Sequence, residues 1–119
     1  MAHPQITLNG NLIEPVELRS TSDGTPVANF RIATNAYRRN SNGTWEQQGE
    51  PCYWQCEAWR ERAQAIAAQD WPTGTPLTVE GTITQGSYEH DGKTRLAVTV
   101  EVHTANLDLL TQHRRSNKQ

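Results

Sequence analysis

Three dipeptides, Asp23-Gly24, Asn42-Gly43 and Asp91-Gly92, divide a 119-residue chain whose apolar residues recur mainly at every second position. Asn-Gly and Asp-Gly supply the positive φ that a tight turn needs, and between alternating runs they are the strongest short signal for a hairpin. Such a chain is held to strands and turns, and the runs can be read off in order. Ile6, Leu8 and Leu12 alternate with Thr7 and Asn9 to begin a first strand, which Gly10 is expected to bend or bulge. Val27 to Thr34 forms a second, with Ala28, Phe30 and Ile32 on one face and Asn29 and Arg31 on the other. The Asn42-Gly43 hairpin leads to a third, from about Gln47 to Trp59. A fourth carries Leu77, Val79, Gly81 and Ile83 on one face. After Asp91-Gly92 comes a fifth, where Leu96, Val98, Val100 and Val102 alternate with Ala97, Thr99 and Glu101.

One helix interrupts the strands. Between Arg60 and Gln69, Ala63, Ile66 and Ala67 make a short apolar stripe that Pro72 and Gly74 end. Residues from Thr111 onward are polar and expected to fray. All-β, with five strands and one short helix between the third and fourth, is the pattern of the OB-fold, a five-stranded Greek-key barrel that often binds oligonucleotides or oligosaccharides. The chain accommodates one such domain, residues 1–110, and a short polar, basic tail, residues 111–119.

Charge narrows the function classes. The net charge is −2, and the first 110 residues hold eight Lys/Arg against thirteen Asp/Glu, with Arg114, Arg115 and Lys118 following. Bulk electrostatics cannot hold a polyanion here, so a nucleic-acid ligand must be held by stacking and a few placed cations. No run approaches the roughly 18 apolar residues of a membrane span and the N-terminus carries no export signal, so a cytoplasmic location and no membrane partner are expected. Cys52 and Cys56, four apart in a strand, should have Cα atoms about 13 Å apart, too far for a disulfide. Asn42-Gly43-Thr44 matches a glycosylation sequon but reads as a turn.

Six of the eight aromatic residues fall between Phe30 and Trp59, most of them among Arg, Asn, Gln and Ser. Flat rings beside hydrogen-bond donors suit unpaired bases. Parity sorts the rings: Tyr53, Gln55, Glu57 and Trp59 share one face, Trp54, Cys56 and Ala58 the other. Cys56 and Ala58 read as buried, which puts Tyr53 and Trp59 outside. Phe30 belongs to the core and Trp71 reads as structural. Tyr37 and Tyr88 lie beside hairpin turns without aliphatic partners, and Trp45 is either a stacker at the hairpin tip or a packing residue. Arg31, Arg38, Arg39, Lys93 and Arg95 are placed to track phosphates, with ordinary solvation as the alternative.

The stretches Val27 to Thr34, Asn42-Gly43-Thr44-Trp45, Cys56 to Trp59 and Val79-Glu80-Gly81 resemble the bacterial single-stranded DNA-binding protein family, with matching element order and spacing over about residues 5 to 110. The resemblance implies base-stacking positions at Tyr37, Tyr53, Trp59 and Tyr88, with tyrosine at some places where tryptophan or phenylalanine is commoner. It also implies a homotetramer and places Trp54 near a subunit interface. Members of that family usually end in an acidic tip that recruits replication and repair enzymes. Here the chain ends Arg114-Arg115-Ser116-Asn117-Lys118-Gln119, so recruitment by that route is not expected.

Catalysis has little support. His3, His90, His103 and His113 are scattered, no nucleophile–base order stands out, and Cys52 and Cys56 lack the second ligand pair of a zinc site. No P-loop is present, and no cofactor, metal or enzymatic activity is expected. The reading is sequence-tolerant binding and protection of single-stranded DNA in replication, recombination or repair, at the nucleoid. Its rivals are a primosome-type accessory or protein-interaction OB module and an oligosaccharide-binding OB domain. Quenching of Trp fluorescence by oligo-dT, with duplex DNA and sugar as competitors, separates the three.

Overall fold

The computed structural model describes residues 3–117. Its elements are β1 (Gln5–Leu12), β2 (Glu17–Ser20), β3 (Pro26–Thr34), β4 (Tyr37–Arg39), β5 (Trp45–Gln47), β6 (Cys52–Trp59), α1 (Glu61–Ala68), β7 (Pro76–His90), β8 (Lys93–Leu107) and α2 (Leu109–Ser116). Six strands form one sheet in the order β1-β7-β8-β6-β3-β2, and β1 also pairs with β3 to close the barrel. The β6–β8 pair is parallel, whereas the other pairs of this sheet are antiparallel. The five long strands with α1 between β6 and β7 are the OB barrel that the alternation and turns indicate.

Alternation fills the barrel. Leu8 and Leu12 of β1, Ala28, Phe30 and Ile32 of β3, Cys56 and Ala58 of β6, Leu77 and Val79 of β7, and Val100 and Val102 of β8 are all buried. Ala63 and Ile66 of α1 join the same core, and Trp54 and Trp71 pack against it from partly buried positions. Two glycines permit closure. A Cβ on Gly10 would lie 2.3 Å from the Ala33 carbonyl oxygen, and one on Gly81 would lie 2.3 Å from that of Glu101. β1 holds unbroken register with β7 from Gln5 to Asn11, so Gly10 marks a close approach of β3 and not a bulge. The ladder irregularity falls at Glu80/Gly81 instead.

Other features depart from the sequence reading. The strand read from Gln47 to Trp59 is interrupted before Cys52, where Gly49 takes a φ of 68°. The Asn42-Gly43 turn closes a separate ribbon, β4–β5, with Gly43 at φ 79° and Asn40 Oδ1 accepting from the backbone N–H groups of Asn42 and Thr44. β2 was not signalled, because all four of its residues are exposed and carry no alternation. β7 and β8 are 15 residues each and project as a long hairpin, consistent with a radius of gyration of 16.4 Å. A compact chain of this length would have about 13–14 Å.

The expectation that residues fray from Thr111 is corrected. Asp108 caps α2, its carboxylate accepting from Thr111 N at 3.1 Å and Thr111 Oγ1 at 2.8 Å. Arg115 then ties the helix to the barrel, donating from Nη1 to the Gly74 carbonyl at 2.8 Å and from Nη2 to Asn11 Oδ1 at 2.6 Å. Polar composition concealed a helix held by a cap and two distant acceptors. Of the three tail cations, Arg114 and Arg115 lie in α2, and Lys118 lies outside the described residues.

Candidate nucleic-acid interface

The register carries one continuous outer face across the sheet. Arg31 of β3 sits opposite Gln55 of β6, which sits opposite Thr99 of β8, which sits opposite Thr84 of β7. Residues two along on each strand share that face. Tyr53 and Trp59 of β6, Tyr88 of β7, Arg95 and Lys93 of β8 and Arg31 of β3 therefore project from one surface. Tyr53 is 57% exposed, Tyr88 51% and Trp59 38%, whereas Phe30 on the inner face is 2% exposed.

Cations and rings are interleaved. The Arg31 guanidinium carbon lies 5.7 Å from the centre of the Tyr53 ring, in cation–π range, and one of its nitrogens is 3.9 Å from a Glu14 carboxylate oxygen. Arg95 is the cross-strand partner of Tyr88, and Lys93 that of His90. The middle of the face is acidic: Glu57 and Glu101 are direct partners on β6 and β8. Like charges there repel phosphates, and the positive charge of the face is supplied by Arg31, Lys93 and Arg95 around it.

The β4–β5 ribbon divides the remaining candidates. Tyr37 pairs with Gln47 and Arg39 with Trp45, so Tyr37, Arg39 and Trp45 share one side. Tyr37 and Trp45 are both well exposed, and Arg39 Nε donates to the Gly43 carbonyl at 3.3 Å. Arg38 lies on the other side, opposite Glu46, away from the rings it flanks in sequence.

Trp54 behaves as its parity requires. It faces inward from β6, half-buried against the core, and its Nε1 donates to Thr34 Oγ1 at 3.0 Å. Cys52 and Cys56 are both free, the first exposed and the second buried. Burial pushes the Cys56 thiol up to about 12. Among the described residues, no group of three or more His, Cys, Asp or Glu side chains is arranged to hold a metal ion, and no helix is long and apolar enough to cross a membrane.

Sequence reasoning missed one neighbour of this face. β2 brings Arg19 beside Trp59, where the two line a shallow cavity of about 240 Å³ together with Asn29 and Glu57. Nothing in the residue pattern of β2 announced it, since the strand exists only by pairing with β3.

The model of the single-strand binding protein family matches residues 4–110. A single-stranded DNA-binding protein of Mycobacterium leprae is 40% identical over 100 residues, covering 82% of this chain and 58% of its own. Single-stranded DNA-binding protein 2 of Streptomyces coelicolor is 34% identical over 107 residues, covering 87% of this chain and 52% of its own. The chain thus spans between half and three-fifths of the length of these relatives. In structure, a small single-stranded DNA-binding protein from Streptomyces coelicolor superposes with a TM-score of 0.80 over 93% of this chain and 99% of its own, at 22% identity, which bears out the fold.

Proposed function

From the premise that this chain belongs to the single-strand binding protein family, we propose that it binds and covers single-stranded DNA without sequence preference, in replication, recombination or repair. One observation carries the reading: Tyr53, Trp59 and Tyr88 come from two different strands yet project from one face, with Arg31, Lys93 and Arg95 among them. Every base has a π-face, so stacking at roughly 1–3 kcal/mol per base does not discriminate sequence. A duplex hides those faces, and preference for single strands follows. Tyr37 and Trp45 extend the stacking surface along the ribbon, with Arg39 beside them. Arg38, opposite Glu46, is the weakest of the phosphate contacts. No chemical step and no cofactor enters the proposal, and its setting is the cytoplasm, at the nucleoid.

Assembly into a homotetramer is part of the same reading. It is supported by β1, whose edge from Gln5 to Gly10 pairs with β7 on one side and, among the described residues, has no strand on the other. Trp54 supports it too, half-buried and one residue before the Gln55–Thr99 pair, and so next to the exposed Val98. Sedimentation equilibrium tests this; a species that remains one chain at micromolar concentration rejects it.

The binding test is a titration of Trp fluorescence with oligo-dT at low and moderate salt, with duplex DNA and a neutral oligosaccharide as competitors. Strong quenching that survives moderate salt and is unaffected by either competitor is expected. Absence of quenching rejects the proposal, and displacement by the sugar favours the oligosaccharide reading.

A further inference from the structure

The outer face does not stop at Tyr53. Its β3 partner is Ala33, and the partner of Ala33 on β1 is Asn11. Asn11 Oδ1 accepts from Arg115 of α2, so a line of outward positions runs from the ring of Tyr53 around the barrel to the C-terminal helix. The small side chain of Ala33 leaves that line open. Beside it lies a polar cleft of about 190 Å³, whose lining includes Tyr37, Arg115, Asn9, Asn11 and Asn35.

We infer that this cleft is a further nucleotide subsite, in which α2 extends the path of the bound single strand beyond Tyr37. The inference rests on the single-stranded DNA reading above. The donor set fits a nucleotide: a ring to stack a base, amides to meet base edges or phosphate oxygens, and a guanidinium for the backbone. Asn9 and Asn11 use their side-chain oxygens within the protein, accepting from Thr78 Oγ1 at 2.8 Å and from Arg115, and among the described residues their amide nitrogens and the Asn35 side chain make no hydrogen bond. Arg115 spends Nη1 on Gly74 and Nη2 on Asn11, which fixes the guanidinium plane at the cleft while leaving N–H groups over. Asp108 also lines the cleft, but its carboxylate is committed to Thr111 N and Oγ1. Asp108, Thr111 and Arg115 lie three and four residues apart, the spacing that puts one helix face on the cleft.

The test uses the full chain, oligo-dT of graded length, and the variants Asn35→Asp and Arg115→Gln. In the wild-type protein affinity rises with length beyond the oligomer that first reaches full Trp quenching. Asn35→Asp, which places a carboxylate in the cleft without removing an internal contact, lowers affinity for the long oligomers about fivefold, as like charges roughly 4 Å apart in water would. It leaves the short ones unchanged. Arg115→Gln flattens the slope of log affinity against log salt by about 0.7, the loss of one phosphate contact on a single strand. A wild-type length dependence and salt slope in both variants overturns the subsite, as does equal weakening of short and long oligomers by Asn35→Asp. Failure of the wild-type protein to bind any oligo-dT sinks the underlying reading instead.

Discussion

Replacing Tyr53 by alanine separates a binding ring from a structural one. The ring is 57% exposed, and the Arg31 guanidinium carbon lies 5.7 Å from its centre. An exposed cation–π contact is worth about 0.5–1 kcal/mol and a cross-strand surface pair about 0.2–1 kcal/mol. The fold should therefore lose about 1 kcal/mol, a drop in Tm of about 4 °C for a domain of this size. The ligand loses a stacking platform worth about 1–3 kcal/mol, so affinity for oligo-dT falls about 5- to 150-fold per site. Phe30→Ala is the control from the opposite face: 2% exposed, it should cost about 3–5 kcal/mol of stability. Tyr53→Phe keeps the ring and should bind like wild type. The assay pairs thermal melting with fluorescence titration, for which exposed Trp45 and Trp59 remain as reporters. Tyr53→Ala that binds within twofold of wild type would refute the assignment of outward rings to bases, and a melt as damaged as that of Phe30→Ala would refute the parity reasoning beneath it.

Gly81→Ala should destabilise the barrel by about 3 kcal/mol, the upper end of overpacking, because its Cβ would meet the Glu101 carbonyl oxygen at 2.3 Å; chemical denaturation measures it, and a wild-type midpoint contradicts the close approach. At pH 8 a thiol reagent should label Cys52 rapidly and leave Cys56 unmodified until the protein is denatured, since burial pushes the Cys56 thiol up to about 12; equal rates in the native protein would refute this. Hydrogen bonds from the Thr21 and Thr25 side chains and the Thr25 N–H hold the Asp23 carboxyl down to about 2, against an ordinary value of 3.8. The folded pKa is the depressed one, so the contribution of this turn is complete above about pH 4 and lost as pH falls toward 2. An NMR titration of Asp23 with a midpoint near 4 would contradict it.

The barrel strands were legible because each is buried on one face only, which writes the fold as alternation: Phe30 between Asn29 and Arg31, or Val100 between Thr99 and Glu101. α1 was legible from its apolar stripe. β2 and α2 were not, since neither has a buried residue to mark it: β2 is held by pairing with β3 across the turn at Asp23-Gly24, and α2 by Gly74 and Asn11, which are distant in sequence.

The same division runs through the candidate site. Which rings of β6 face outward follows from parity along one strand, and the sequence alone determined it for Tyr53, Trp54 and Trp59. Parity does not say which strands lie side by side. Only the tertiary structure set Tyr88 and Arg95 on the face of Tyr53, placed Arg38 opposite Glu46, and drew Arg115 to Asn11. The physical reason is that the two-residue period of a strand is a local property, while register and strand order are settled by closure of the whole sheet around its core.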